Sequence, residues 1–184
     1  MFQAIFFSLW FFAPAGLANV SAFASGKINA LEKFNFPVDC YAKIGGKRIL
    51  GDHKTIRGFL VAIIMGVLGC CLEVFLYSSF FSIRELVWID YYTINPVILG
   101  ALLGLGALTG DAIKSFFKRR VNIPPGVSWF PFDQIDYIIG GIALSLFYIQ
   151  LSFGEYAVLF VVWFLIHPIG TFIGYLLRLR HEPI

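Results

Sequence analysis

The chain has 184 residues, of which 59% are Ala, Val, Ile, Leu, Met, Phe, Trp, Tyr or Cys, and only 14% are charged. Roughly 25% charged residues are usual in soluble domains, so a water-soluble globule and a disordered chain are both excluded. A polytopic membrane protein remains, and its net charge of +3 is too small to point to nucleic acid.

Five stretches are long enough and apolar enough to cross a hydrocarbon core, which takes ~20 helical residues. They are Met1–Gly26, Gly58–Phe81, Tyr91–Phe117, Asp136–Ser152 and Glu155–Leu177. One all-α membrane domain over 1–184 is therefore expected, with loops at 27–57 and 118–133, a short aromatic loop at Ser82–Asp90 and a turn near Phe153–Gly154. Ala22-Phe23-Ala24 resembles a signal-peptidase site, but no basic residue precedes Lys27 and the apolar run is long. The first stretch is thus expected to stay as a span.

Thirteen of the 14 Lys and Arg residues fall on one side of this arrangement; Arg84 alone falls on the other. The positive-inside rule places the thirteen in the cytoplasm, with the N-terminus outside and the C-terminus inside. The pairs Gly100/Gly104, Gly106/Gly110 and Gly170/Gly174 have G-x-x-x-G spacing, which lets helix backbones approach in lipid; packing within one chain is the expected use. Cys40, Cys70 and Cys71 show no metal-ligand or disulfide spacing.

The chemistry-bearing residues gather on the basic side. Asp111, Lys114, Ser115 and Lys118 lie at i, i+3, i+4 and i+7 and share a helix face. A carboxylate within an apolar helix must pair or bind a cation. Asp133 and Asp136 lie at i, i+3 where the fourth span begins: they suit a helix dipole, and beside Asp111 they also suit Mg²⁺, which takes oxygen ligands. Lys118-Arg119-Arg120, taken alone, reads more readily as a cytoplasmic headgroup anchor than as a binding site. The segment from Gly45 to Gly58 has glycines and cations fit for phosphate but lacks the Walker A spacing. Glu73 and His167 are isolated polar residues in spans and stay outside the expected site.

In order along the chain, Gly51-Asp52-His53-Lys54-Thr55-Ile56-Arg57-Gly58, then Gly110-Asp111 through Arg120, then Pro124-Pro125-Gly126 and Pro131-Phe132-Asp133-Gln134-Ile135-Asp136 resemble the CDP-archaeol synthase family. The likeness extends to Pro14-Ala15, Ala18-Asn19 and Pro37-Val38-Asp39. Ser115, Lys118 and Arg119 also match part of the related bacterial CDP-diacylglycerol synthase pattern, whose histidine and paired glycines are missing. Ile56 stands where the family would lead one to expect tryptophan.

The resemblance implies five spans, cytoplasmic catalytic loops and Mg²⁺-dependent transfer of CMP from CTP to a lipid phosphate, 2,3-bis-O-geranylgeranyl-sn-glycerol 1-phosphate. Combined with charge logic, it assigns Asp111, Asp133 and Asp136 to the metal. Lys54, Lys114, Lys118 and Arg119 go to the triphosphate, with Arg57 nearer the lipid phosphate. Asp52, His53 and Ser115 serve as cofactor-side contacts, the first two orienting the basic loop. A diacylglycerol-type synthase and a non-enzymatic lipid transporter or membrane helper are the other readings. The pattern of CDP-alcohol phosphotransferases is not found.

Overall fold

The computed structural model describes residues 1–124 and 127–176. Pro125, Gly126, Arg178 and Arg180, the side-chain placement of Gly174, and the end of the last expected span at Leu177 lie outside the described residues. The elements in chain order are α1 (Phe2–Ser25), a 3-10 segment (Asn29–Phe34), β1 (Lys43–Ile44), β2 (Lys47–Arg48), α2 (Ile56–Ser79), α3 (Phe81–Leu86), α4 (Pro96–Arg120), α5 (Phe132–Ser145) and α6 (Phe153–Leu176).

Local chemistry explains where the helices start. The Thr55 side chain accepts from the Gly58 N–H, so α2 begins two residues before the expected Gly58. Asn95 accepts from the N–H groups of Val97 and Ile98, and Pro96 occupies the first turn, where a missing N–H costs nothing. The third helix therefore starts at Pro96 rather than Tyr91. The short loop expected at Ser82–Asp90 contains α3, a feature that its six-residue length hid from periodicity.

Among the described residues, four helices are long and apolar enough to cross a membrane: α1, α2, α4 and α6. The remaining expected span, Asp136–Ser152, takes a different form. α5 starts earlier, at Phe132, and ends at Ser145 after 14 residues. At 1.5 Å per residue this is about 21 Å of helix, short of a ~30 Å hydrocarbon core. The chain then continues irregularly, and the Tyr148 hydroxyl accepts from the Asn95 N–H at 2.8 Å, level with the start of α4. The Tyr156 hydroxyl accepts from the Leu151 N–H and donates to the Ile149 carbonyl, each at 3.2 Å. Tyrosine hydroxyls thus satisfy main-chain groups that a helix would otherwise have paired internally.

α4 is the central helix. It packs on α1, α2 and α5, while α6 packs on α1 and α5. Leu99, Leu103 and Ala107 of α4 are buried with Phe7, Phe11 and Phe12 of α1. The Trp163 indole of α6 donates to the Ser8 carbonyl of α1 at 2.9 Å.

Two glycine contacts set the distances to α4. Gly66 of α2 faces Gly100 and Gly104, and Gly106 and Gly110 face Gly140 and the backbone of Asp136. A Cβ at Gly110 would overlap the Asp136 carbonyl, and one at Gly140 would overlap that of Gly106. The α4 glycine pairs therefore pack within the chain, as expected. Gly170 differs: a Cβ there would meet nothing within 4 Å.

These contacts predict contrasting substitutions. Gly110→Leu overpacks the α4–α5 contact and is expected to cost about 1–3 kcal/mol, lowering the thermal midpoint of the detergent-purified protein. Gly170→Leu, in open space, is expected to leave that midpoint unchanged.

Candidate functional site

Backbone contact between Gly110 and Asp136 brings the polar ends of α4 and α5 together. Asp111, Lys114 and Lys118 present one face of α4, and Asp133 and Asp136 present one face of α5. The Lys114 ammonium lies 3.0 Å from Asp111 Oδ1, 2.6 Å from Asp133 Oδ1 and 2.6 Å from Asp136 Oδ2. Lys54 reaches in from the first loop, its Nζ 2.6 Å from Asp111 Oδ2. Lys118 closes the other side, 3.3 Å from Asp133 Oδ1, and also donates to the Val127 carbonyl. Asp133 further accepts from the Trp129 N–H. Six residues expected at the site thus form one network.

The network is mostly enclosed: the Lys114 side chain is 13% exposed and that of Asp136 6%. Charges so placed need close partners, and each carboxylate here has at least one ammonium. Three lysines face three aspartates, so the network is formally neutral.

The carboxylates match the chemistry of a hard divalent cation, which prefers oxygen donors. As placed, however, they converge on an ammonium. Among the described residues no three Asp, Glu, His or Cys side chains form a ready metal cage.

The other expected residues stand around this network. Arg57, in the first turn of α2, is buried, yet its guanidinium makes no hydrogen bond or ion pair among the described residues, and its Nε is shielded from solvent. Arg119 is likewise without a carboxylate partner, with a buried and unbonded Nε. Ser115 is buried in α4 on the same face as Asp111. His53 is exposed and forms no ion pair among the described residues. Asp52 pairs at 2.6 Å with Arg48, within its own loop.

Four residues outside the expected site, Asp39, Lys47, Arg48 and Arg120, build the first loop. Asp39 accepts from Arg48 at 2.6 Å and from the N–H groups of Leu50 and Gly51. Arg120 donates to the carbonyls of Ile44 at 2.8 Å, Lys47 at 3.3 Å and Arg48 at 2.6 Å. The Lys47 ammonium returns a bond to the Arg120 carbonyl at 3.2 Å. The β1–β2 hairpin is thereby pinned to the end of α4. Gly45, Gly46 and Gly51 adopt positive φ, the one local signal of the turns that fold the loop back. Arg120 looked like part of a headgroup anchor because a basic triplet carries no information about carbonyl partners.

Glu73 and His167 are not part of the network. Glu73 is buried in α2 beside Tyr91 and Cys70, and the His167 ring packs on Tyr137 with centroids 5.4 Å apart.

Burial acts to raise the Asp39 carboxyl, but the Arg48 guanidinium and the Leu50 and Gly51 N–H groups outweigh it and hold it at about 2. A lowered folded-state value stabilises the loop above the ordinary carboxylate range, and this is lost as pH falls from 3.8 toward 2. Hydrogen exchange of residues 37–57, corrected for intrinsic rates, is expected to accelerate across that interval. In Asp39→Asn it is expected to be raised already at neutral pH. Unchanged protection in the variant would remove Asp39 as the anchor.

Comparisons with known proteins agree on a family. The family model described as CarS-like, CDP-archaeol synthase, matches residues 1–183. Proteins named CDP-archaeol synthase resemble the chain closely in length. That of Methanospirillum hungatei JF-1 is 35% identical over 170 residues, covering 88% of this chain and 98% of the relative. That of Thermococcus gammatolerans is 32% identical over 182 residues, covering 98% and 97%. That of Methanocaldococcus jannaschii is 32% identical over 188 residues, covering 97% of each. A solved structure described as an intramembrane enzyme for archaeal membrane lipid biosynthesis superposes with a TM-score of 0.69 at 26% identity, over 88% of this chain and 90% of that one. With a family model spanning nearly every residue and relatives matched almost end to end, the chain belongs to the CDP-archaeol synthase family, and is an integral membrane cytidylyltransferase that uses CTP.

Proposed function

We propose that the chain transfers CMP from CTP to the phosphate of an isoprenoid ether lipid, 2,3-bis-O-geranylgeranyl-sn-glycerol 1-phosphate, on the cytoplasmic face of the membrane. The observation that carries this reading is the enclosed network of Lys54, Lys114 and Lys118 with Asp111, Asp133 and Asp136, built where two apolar helices end. A reaction joining a water-soluble nucleotide to a lipid headgroup needs its charged groups at such a place.

A lipid phosphate oxygen attacks the α-phosphorus of CTP. The new P–O bond forms as the bond to the bridging oxygen of the β-phosphate breaks, and pyrophosphate leaves with that electron pair. The attacking phosphate is already ionised, so no side chain has to remove a proton. Catalysis then rests on positioning and on neutralising charge. Lys54, Lys114, Lys118 and Arg119 face the triphosphate, and Arg57, beside α1, receives the lipid phosphate. Ser115, Asp52 and His53 lie on the nucleotide side, Asp52 acting through its pair with Arg48.

Asp111, Asp133 and Asp136 would hold Mg²⁺, which when bound would add positive charge beside the phosphates. Three lysines balanced by three aspartates leave little spare charge for a triphosphate of about four negative charges, which is why both a divalent ion and the guanidiniums of Arg57 and Arg119, without carboxylate partners among the described residues, belong in the reading.

Five crossings, with the N-terminus outside, fit this placement. α5 and the segment after it return to the level of Asn95, and eleven of the twelve basic residues among those described then share a side.

Labelled CTP offered with a panel of lipid phosphates, read by mass, tests the reaction and its substrate together. Geranylgeranyl ether phosphate is expected to yield CDP-lipid and pyrophosphate; acceptance of phosphatidic acid alone would leave the reaction but replace the lipid. Asp133→Asn is expected to lower turnover by a factor of about 100 or more while the protein stays folded. Arg57→Gln is expected to raise the KM for lipid phosphate several-fold with little change for CTP.

A further inference from the structure

We infer that Lys114 is a resident counter-ion: its ammonium holds the position where a divalent cation sits once nucleotide is bound, and the two exchange. The inference rests on the CTP-transferase reading for the identity of the incoming ligand. Its basis is a convergence of distances. Carboxylate oxygens of Asp111, Asp133 and Asp136, carried by two helices, lie 3.0, 2.6 and 2.6 Å from one nitrogen. These are ordinary lengths for a charge-assisted N–H···O contact. Mg²⁺ takes oxygens at about 2.0–2.1 Å, so side-chain movements of about 0.5–1 Å convert the same set to metal ligands. The spread imposed by the ammonium also explains why the carboxylates do not form a ready cage.

Charge makes exchange the economical arrangement. With Lys114 simply withdrawn, three partly enclosed carboxylates would face one another with only Lys54 and Lys118 at the edges. With Lys114 left in place, its ammonium is spent on carboxylates and unavailable to phosphate. Replacing one positive charge by two satisfies the carboxylates and frees the ammonium to follow the triphosphate. Lysine suits the role, because a point charge on a four-carbon flexible stem can swing between partners, whereas the planar guanidinium of arginine is bound by its fork geometry.

Metal is consequently expected to bind poorly before nucleotide and well with it. Full-length protein in detergent, titrated with Mn²⁺ alone and followed by electron paramagnetic resonance, tests this without CTP or lipid. Lys114→Met is expected to bind Mn²⁺ at least ten-fold more tightly than the unaltered chain. Equal or weaker binding by a folded variant would overturn the inference, since loss of a merely structural lysine would loosen the site.

A second arm avoids the variant. Amine labelling of the unaltered chain, read by mass spectrometry, is expected to speed up several-fold at Lys114 when Mn²⁺ saturates the protein. Labelling of exposed Lys27 is expected to stay constant. Unchanged or slower labelling of Lys114 would overturn the exchange, and this arm decides the matter if Lys114→Met does not fold. Exchange observed in a chain that never consumes CTP would leave the counter-ion role standing and defeat the transferase reading instead.

Discussion

The approach of α4 to α5 is the constraint on which the polar end of this protein depends. Gly106, Gly110 and Gly140 bring two backbones into contact, and no side chain fits between them. One turn beyond that contact, a single lysine on α4 can touch two aspartates on α5 as well as one on its own helix. Were the helices held at the usual 8–10 Å spacing by ordinary side chains, the same residues would lie too far apart to share one ammonium. Glycine packing in the apolar layer and ion pairing at its edge are thus one design, in which van der Waals contact sets the electrostatics.

The network shows how an enclosed charge set survives in a chain with so few charges. Desolvation penalises every member, and only mutual pairing offsets it. The pairing crosses three segments: Lys54 from the first loop, Asp111, Lys114 and Lys118 from α4, and Asp133 and Asp136 from α5. The first loop is held in register by its own internal device, Asp39 clamped by Arg48 and two N–H groups. Lys54 can therefore meet Asp111 as part of a preformed loop, which lowers the entropy lost in ordering it.

Much of this was legible in the sequence because the signals were periodic. Apolar runs marked four helices, and the i, i+3, i+7 spacing of Asp111, Lys114 and Lys118 put them on one face. The G-x-x-x-G pairs on α4 marked the close contacts. What escaped had no period to carry it. Nothing in Ser145 through Ser152 announces that α5 ends early and that tyrosine hydroxyls take over main-chain bonding. Arg120 lay in a basic triplet whose charge suggested lipid, yet its partners are carbonyls 72 to 76 residues away. The three aspartates do come together, but nothing in their spacing announced that Lys114 would stand at their centre rather than beside it.

The hairpin tether carries a consequence for how this surface can vary. Arg120 grips the loop through the main-chain oxygens of residues 44, 47 and 48. Every amino acid supplies such an oxygen, so the grip itself asks nothing of side-chain identity and residue 44 is free to drift, provided the turn at Gly45 and Gly46 keeps its shape; Lys47 and Arg48 are held by other bonds of their own, to the Arg120 carbonyl and to Asp39. Position 120 has no such freedom, because only a forked guanidinium reaches three oxygens at once. Tolerance to substitution is therefore uneven across the contact: broad at residue 44, where only the main chain is used, and narrow at 120, where the side chain makes the grip.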